Sequence, residues 1–159
     1  MSHDAWFHGW RDQMAALHPR AFLETFAPTH ETWHTFPAGN RHVGFLTFHK
    51  EIIAAFTESL SRVGWQHRLP PPWNQPPPFA YDPTLDAIDD LVSFSRAIEA
   101  WHNQIHHAWP EPGFMDARSN IRLMSFWSLH LLIDRKFDEC LARNGIAFAA
   151  MDPALHPTV

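Results

Sequence analysis

The chain holds 159 residues, 45% apolar, 14% aromatic and 18% charged, with a formal net charge of −5. That apolar content excludes a disordered chain, and a lone cysteine, Cys140, excludes an internal disulfide framework and a Cys-based zinc cluster. Twelve Lys and Arg against 17 Asp and Glu, with no basic run, leave no electrostatic footprint for nucleic acid. No apolar stretch approaches the roughly 20 residues that cross a bilayer, and the opening residues lack a basic-then-apolar leader. The expectation is a soluble, cytoplasmic, single domain spanning 1–159.

Four segments predict helices. The first, 5–33, is punctuated by Pro19 and Pro28 and divides into two or three pieces. An irregular loop, 36–41, precedes the second, 44–63, which stops at Gly64. Pro70, Pro71, Pro72, Pro76, Pro77, Pro78 and Pro83 then make 69–83 an extended connection, because proline removes backbone donors and fixes φ. The third helix, 84–109, is entered at Asp82-Pro83-Thr84 and stopped by Pro110. The fourth, 120–143, ends at Asn144-Gly145, a natural C-terminal cap, before a tail, 146–159. No segment alternates as a strand. The expected class is mainly α, a four-helix bundle with a Pro-rich crossover between the halves 1–68 and 84–145.

Thirteen histidines outnumber all Lys and Arg together. His49 falls in the apolar stripe of Phe45, Ile52, Ile53 and Phe56. His102 and His106 share one face with Ile98, Ile105 and Trp109, and His130 sits among Phe126, Trp127 and Phe137. A lone histidine in such a stripe is more often a hydrogen-bonded core residue than a ligand. Four in one core have few polar neighbours, and an unpartnered buried polar group costs about 1–3 kcal/mol. A metal satisfies one nitrogen of each. Imidazole suits copper, zinc and some iron sites; three on one ion fit zinc or copper, and six across two ions fit a copper pair. The bundle is therefore expected to enclose a metal site, of one ion or two according to whether the first half supplies more ligands than His49.

The motifs, in order, resemble the tyrosinase, catechol oxidase and hemocyanin group of type-3 copper proteins. Glu99-Ala-Trp-His102-Asn103-Gln-Ile-His106 resembles E-x-x-H-N-x-x-H, and Phe126-Trp-Ser-Leu-His130-Leu-Leu-Ile-Asp134-Arg135 resembles F-W-L-H-H-x-x-x-D-R. Met115 fits the methionine between them. Phe45-Leu-Thr-Phe-His49-Lys resembles F-L-P-W-H-R, Phe26-Ala-Pro-Thr-His30 resembles F-V-x-T-H, and Leu69-Pro70-Pro-Pro-Trp73-Asn resembles L-P-x-W-D. The likeness runs from residue 26 to residue 135. The chain departs from the pattern at four places. His42 stands seven residues before His49 where the family has nine, no cysteine lies near His42, Leu129 replaces the first His of the H-H pair, and Leu123-Met124 replace D-P.

The resemblance implies one copper held by His30, His42 and His49 and a second by His102, His106 and His130. His34 is the alternative to His30 if Pro28 turns the first helix differently. It implies O₂ activation and the oxidation or ortho-hydroxylation of a phenol, catechol or o-aminophenol. Glu99 and Asn103 would orient the water that takes a phenol's proton. A small aromatic substrate is the expected partner, and so short a chain leaves room for a homo-oligomer or an accessory chain to cover the site. His3, His8, His18, His67, His107 and His156 are expected bystanders. Two other readings use the same residues. A di-iron carboxylate bundle would recruit Glu31-x-x-His34 and Glu99-x-x-His102 with Glu51 and Glu58, and a non-enzymatic copper- or oxygen-binding protein would keep the histidines without the reaction.

Overall fold

A computed structural model describes residues 3–35 and 43–151, with side chains described from residue 9 onward. The chain is mainly helical, with no strand among the described residues. Five helices follow one another: α1 (His3–Ala15), α2 (Pro19–Thr35), α3 (Val43–Arg62), α4 (Leu91–Ala108) and α5 (Met124–Arg143). α3 is the central element and packs against α1, α2, α4 and α5, while α4 also packs on α5.

The breaks follow local chemistry. Pro19 opens α2 at the first helical position, where its missing N–H is not needed, so the first expected segment divides between α1 and α2. Pro28 is accommodated inside α2 without ending it. α3 stops as expected at Gly64, whose φ of 73° lets the Trp65 N–H reach back to the Leu60 carbonyl at 2.8 Å. The same motif closes α5, where Gly145 takes φ 64° and the Ile146 N–H donates to the Leu141 carbonyl at 2.9 Å.

Two expected helix starts are displaced. Asp82 does cap a helical turn, accepting from the Thr84 N–H at 2.9 Å, but the turn is a short 3-10 helix, Pro83–Ala87, that ends in extended backbone at Ile88. Asp90 then caps α4 through the Ser93 N–H at 2.8 Å, so α4 begins at Leu91 rather than at residue 84. Asn120–Arg122 is likewise a 3-10 turn, cut off from α5 by extended Leu123. The segment between Leu69 and Asp82 forms no α-helix and lies along α5: the Trp73 N–H donates to the Ser128 carbonyl and the Ser128 hydroxyl to the Pro71 carbonyl, both at 2.8 Å.

The core is aromatic. Phe56 of α3 stacks on Trp127 of α5 with centroids 4.0 Å apart, and Phe22, Phe26, Phe48, Phe94 and Phe137 are fully buried. One charge is buried with them: Glu51 is 2% exposed, and one of its oxygens accepts from the Arg11 guanidinium at 3.0 Å while the other has no hydrogen-bond partner. Arg11 thereby fastens α1 to α3. Removing one partner of a fully buried pair costs about 3–5 kcal/mol, and Arg11 is itself 35% exposed, so Arg11→Met is expected to lower unfolding free energy in urea by about 2–3 kcal/mol. The double change Arg11→Met/Glu51→Gln is expected to recover much of that loss, since no charge then stays buried alone.

Candidate metal centre

Four helices deliver imidazoles to one interior region. His30 and His34 stand one turn apart on α2, His49 on α3, His102 and His106 one turn apart on α4, and His130 on α5. They form two groups, His30–His34–His49 and His102–His106–His130, and within each group one ring nitrogen of every member lies within 4.8 Å of the others. The groups are neighbours. His49 and His130 stack across them with centroids 4.5 Å apart, and His34 and His102 lie nearly parallel at 6.4 Å.

The hydrogen bonds fix how five of the rings are protonated. A carbonyl oxygen can only accept, so a ring nitrogen bonded to one must carry the proton. The Nδ1–H of His30 donates to the Ala117 carbonyl at 2.6 Å. Those of His49, His106 and His130 donate to the carbonyls of Phe45, Phe114 and Phe126, each at 2.8 Å. His102 Nδ1 faces the Asn103 side-chain oxygen at 3.1 Å. In these five neutral imidazoles the Nε2 is therefore a bare lone pair. Yet His49 Nε2 stands 3.4 Å from His30 Nε2, and His102 Nε2 stands 3.1 Å from His130 Nε2. Two bare lone pairs cannot hydrogen-bond to each other. Nitrogens held about 2.0–2.1 Å from a common ion would sit roughly 3.3–3.5 Å apart, so a cation between the rings turns repulsion into ligation.

A proton is a poor candidate for that cation. His30, His49, His102 and His130 are almost wholly buried, and loss of hydration, reinforced by their imidazole neighbours, holds their pKa values well below the ordinary 6.5. Burial lowers His106 to about 4 against the opposing pull of the Phe114 carbonyl. At neutral pH these groups are uncharged donors, as a metal requires.

The loop between α4 and α5 serves both groups at once, because Phe114 orients His106 and Ala117 orients His30. Gly113 starts this turn with φ 83°, a conformation L side chains rarely adopt. The Phe114 carbonyl is also held by Asn120 Nδ2 at 3.2 Å, and Asp116 caps the turn through Ser119. Gly113→Ala is expected to cost about 1–2 kcal/mol of stability in denaturant unfolding. By moving the carbonyl that aims His106, it should weaken metal binding on the order of tenfold in a competitive chelator titration.

A cavity of about 170 Å³ opens beside the rings, lined by His34, His102 and His106 together with Asn103, Met115 and Asn120. His107 is exposed but also reaches this lining. Asn120 is 3% exposed, and its side-chain oxygen has no hydrogen-bond partner. Glu99 is half-buried on α4, one turn before Asn103, and does not line the cavity.

Of the residues singled out from sequence, His30, His49, His102, His106 and His130 come together here; His42 lies outside the described residues. His34, read as a substitute for His30, stands beside it instead, with the two Nε2 atoms 3.0 Å apart. The spacing of four between His30 and His34 on one helix was the available signal. Nothing in the sequence marked the Phe114 and Ala117 carbonyls or Asn120, because backbone acceptors have no residue signature. Among the described residues no carboxylate joins either group. Glu31 pairs with Arg118, Glu51 with Arg11 and Glu58 with Arg62. No helix among the described residues is long and apolar enough to cross a membrane. Comparisons of the chain with protein-family models, with curated proteins and with solved structures find no match.

Proposed function

We propose that the chain is a compact type-3-like dicopper oxidoreductase that uses O₂ to oxidise or ortho-hydroxylate a small phenol, catechol or o-aminophenol. In this reading α2–α5 make a four-helix bundle around the metal pair, with the Pro-rich segment as its crossover. The observation that carries it is the pair of adjacent histidine groups whose bare Nε2 atoms face one another with their Nδ1–H groups tied outward. The donor set is all nitrogen, which suits copper over the harder ions that prefer carboxylates. His30, His34 and His49 would hold one ion and His102, His106 and His130 the other.

Copper bound there supplies the activation of O₂ and the electron transfer. The chain supplies the rest. Carbonyls of Phe45, Phe114, Ala117 and Phe126 hold the rings in one tautomer. Phe45 and Phe126 pack on the imidazoles at 4.6 and 4.0 Å and exclude water from their inner side. The cavity beside His102 and His106 is the substrate entrance, and a space near 150 Å³ accommodates one aromatic ring. Asn120 offers its unpartnered oxygen to a substrate O–H or N–H, and Asn103 holds His102. Asn103, which lines the cavity, would orient the water that receives a phenol's proton; Glu99, one turn away on α4, does not reach that lining.

The di-iron reading loses support because Glu31, Glu51 and Glu58 are engaged with arginines away from the rings. The test is a panel of phenol, catechol and o-aminophenol given to copper-loaded protein under O₂, with products identified by mass spectrometry. An oxidised or hydroxylated product that depends on copper supports the reading. Copper binding without turnover of any of the three leaves the oxygen- or copper-binding alternative.

A further inference from the structure

A second cavity, of about 150 Å³, lies more than three turns of α2 away from His34, roughly 16 Å along that helix. Phe56, Leu60, Trp65 and Trp127 wall it, and its opening is flanked by Arg20, Arg68 and Arg122. Phe56 and Trp127 are nearly buried and stacked, so the inner wall is a fixed aromatic surface. Arg68 lies over the Trp65 ring at 4.0 Å, which keeps its guanidinium beside the apolar space. Arg122 donates only to the Arg118 carbonyl, at 3.1 Å. None of the three arginines makes an ion pair among the described residues; Arg96 and Arg143 make none either, but neither of these lines the cavity. These three exposed arginines give one apolar hollow a positive rim in a chain of net charge −5.

We propose that this cavity binds a monocyclic aromatic carboxylate. A space near 150 Å³ holds one benzene-sized ring, which matches the aromatic walls. A carboxylate on that ring would lie at the opening, where guanidinium groups pair with it in two-pronged fashion. Both charge and ring are needed: the arginines alone are too exposed to hold an anion firmly, and the walls alone do not select charge. The assignment is independent of the metal reading.

The test uses the full-length, metal-free chain in the presence of a chelator, titrated with benzoate and phenylacetate. Trp65 and Trp127 line the site, so tryptophan fluorescence reports occupancy, and amide chemical shifts locate it. Saturable binding is expected, with toluene, acetate and benzylamine each at least about tenfold weaker. Arg68→Gln/Arg122→Gln is expected to weaken benzoate on the order of tenfold while leaving the helical circular dichroism unchanged. Leu23→Trp, which fills the cavity from α2, should abolish binding. His106→Ala should leave it intact. Toluene binding as tightly as benzoate, shifts confined to the metal centre, or no saturation at millimolar benzoate would each overturn the proposal. So would sedimentation showing that a second copy of the chain fills the cavity.

Discussion

Copper(I) titrated into the metal-free protein is expected to saturate at two ions per chain, and His130→Ala is expected to reduce that to one. Each group offers three imidazole nitrogens, and five of the six rings are already fixed in the ligating tautomer by an outward hydrogen bond. Binding therefore needs little reorganisation. Losing an orienting partner usually costs about 10–100-fold in metal affinity, and losing a ligand costs more. His49→Ala should likewise remove one ion from the other group, and His107→Ala neither, since it belongs to no group. His34→Ala set beside His42→Ala tells which of the two completes the first group. On the dicopper reading, copper-loaded, reduced protein exposed to O₂ should show strong near-ultraviolet absorption that His106→Ala abolishes, because that change would remove a residue proposed to hold one of the two ions. Retention of iron in preference to copper, or a single ion in the unaltered chain, would defeat the dicopper reading.

Mild acid should unfold the metal-free protein. Five histidines have folded-state pKa values below the ordinary 6.5, His106 at about 4 and the other four well below. Above pH 6.5 both folded and unfolded chains keep these rings neutral, and their stabilising difference is fully present. As pH falls below 6.5, the unfolded chain takes up protons that the folded chain refuses, so stability drops by up to about 1.4 kcal/mol per pH unit for each ring. His106 alone removes roughly 3 kcal/mol between pH 6.5 and 4. The four other rings, lowered by burial in the same direction, add to that loss. The acid transition, followed by helical circular dichroism with chelator present, should therefore develop below pH 6.5. Bound copper, which competes with protons for the same nitrogens, should move the transition to lower pH. A metal-free protein equally stable in urea at pH 7 and at pH 5 would mean that the rings protonate in place, which is incompatible with their burial.

Most of the helices were readable because their ends are written in particular residues. Gly64 and Asn144-Gly145 stop α3 and α5 by backbone conformation that a sequence displays directly. The start of α4 was not readable in the same way. Asp82 and Asp90 are equally good caps, and the choice fell to Asp90 because Leu85 and Ile88 pack into the core in a conformation that interrupts the helix. The α5 start moved for a similar reason: Ile121 is wholly buried and Leu123 packs against the core, with extended backbone at Leu123 between them.

Helical periodicity settled that His49, His102, His106 and His130 face inward, because a period of 3.6 assigns each residue to a stripe whatever the stripe meets. It could not say which rings share an ion. That was decided by the packing of α2 on α3 and of α4 on α5, which sets the 3.4 Å approach of His30 to His49 and the 3.1 Å approach of His102 to His130, and by the loop after α4, whose carbonyls orient His30 and His106. A stripe is a local property of one helix. The distance between two stripes, and the backbone oxygens that reach between them, exist only once the helices have docked.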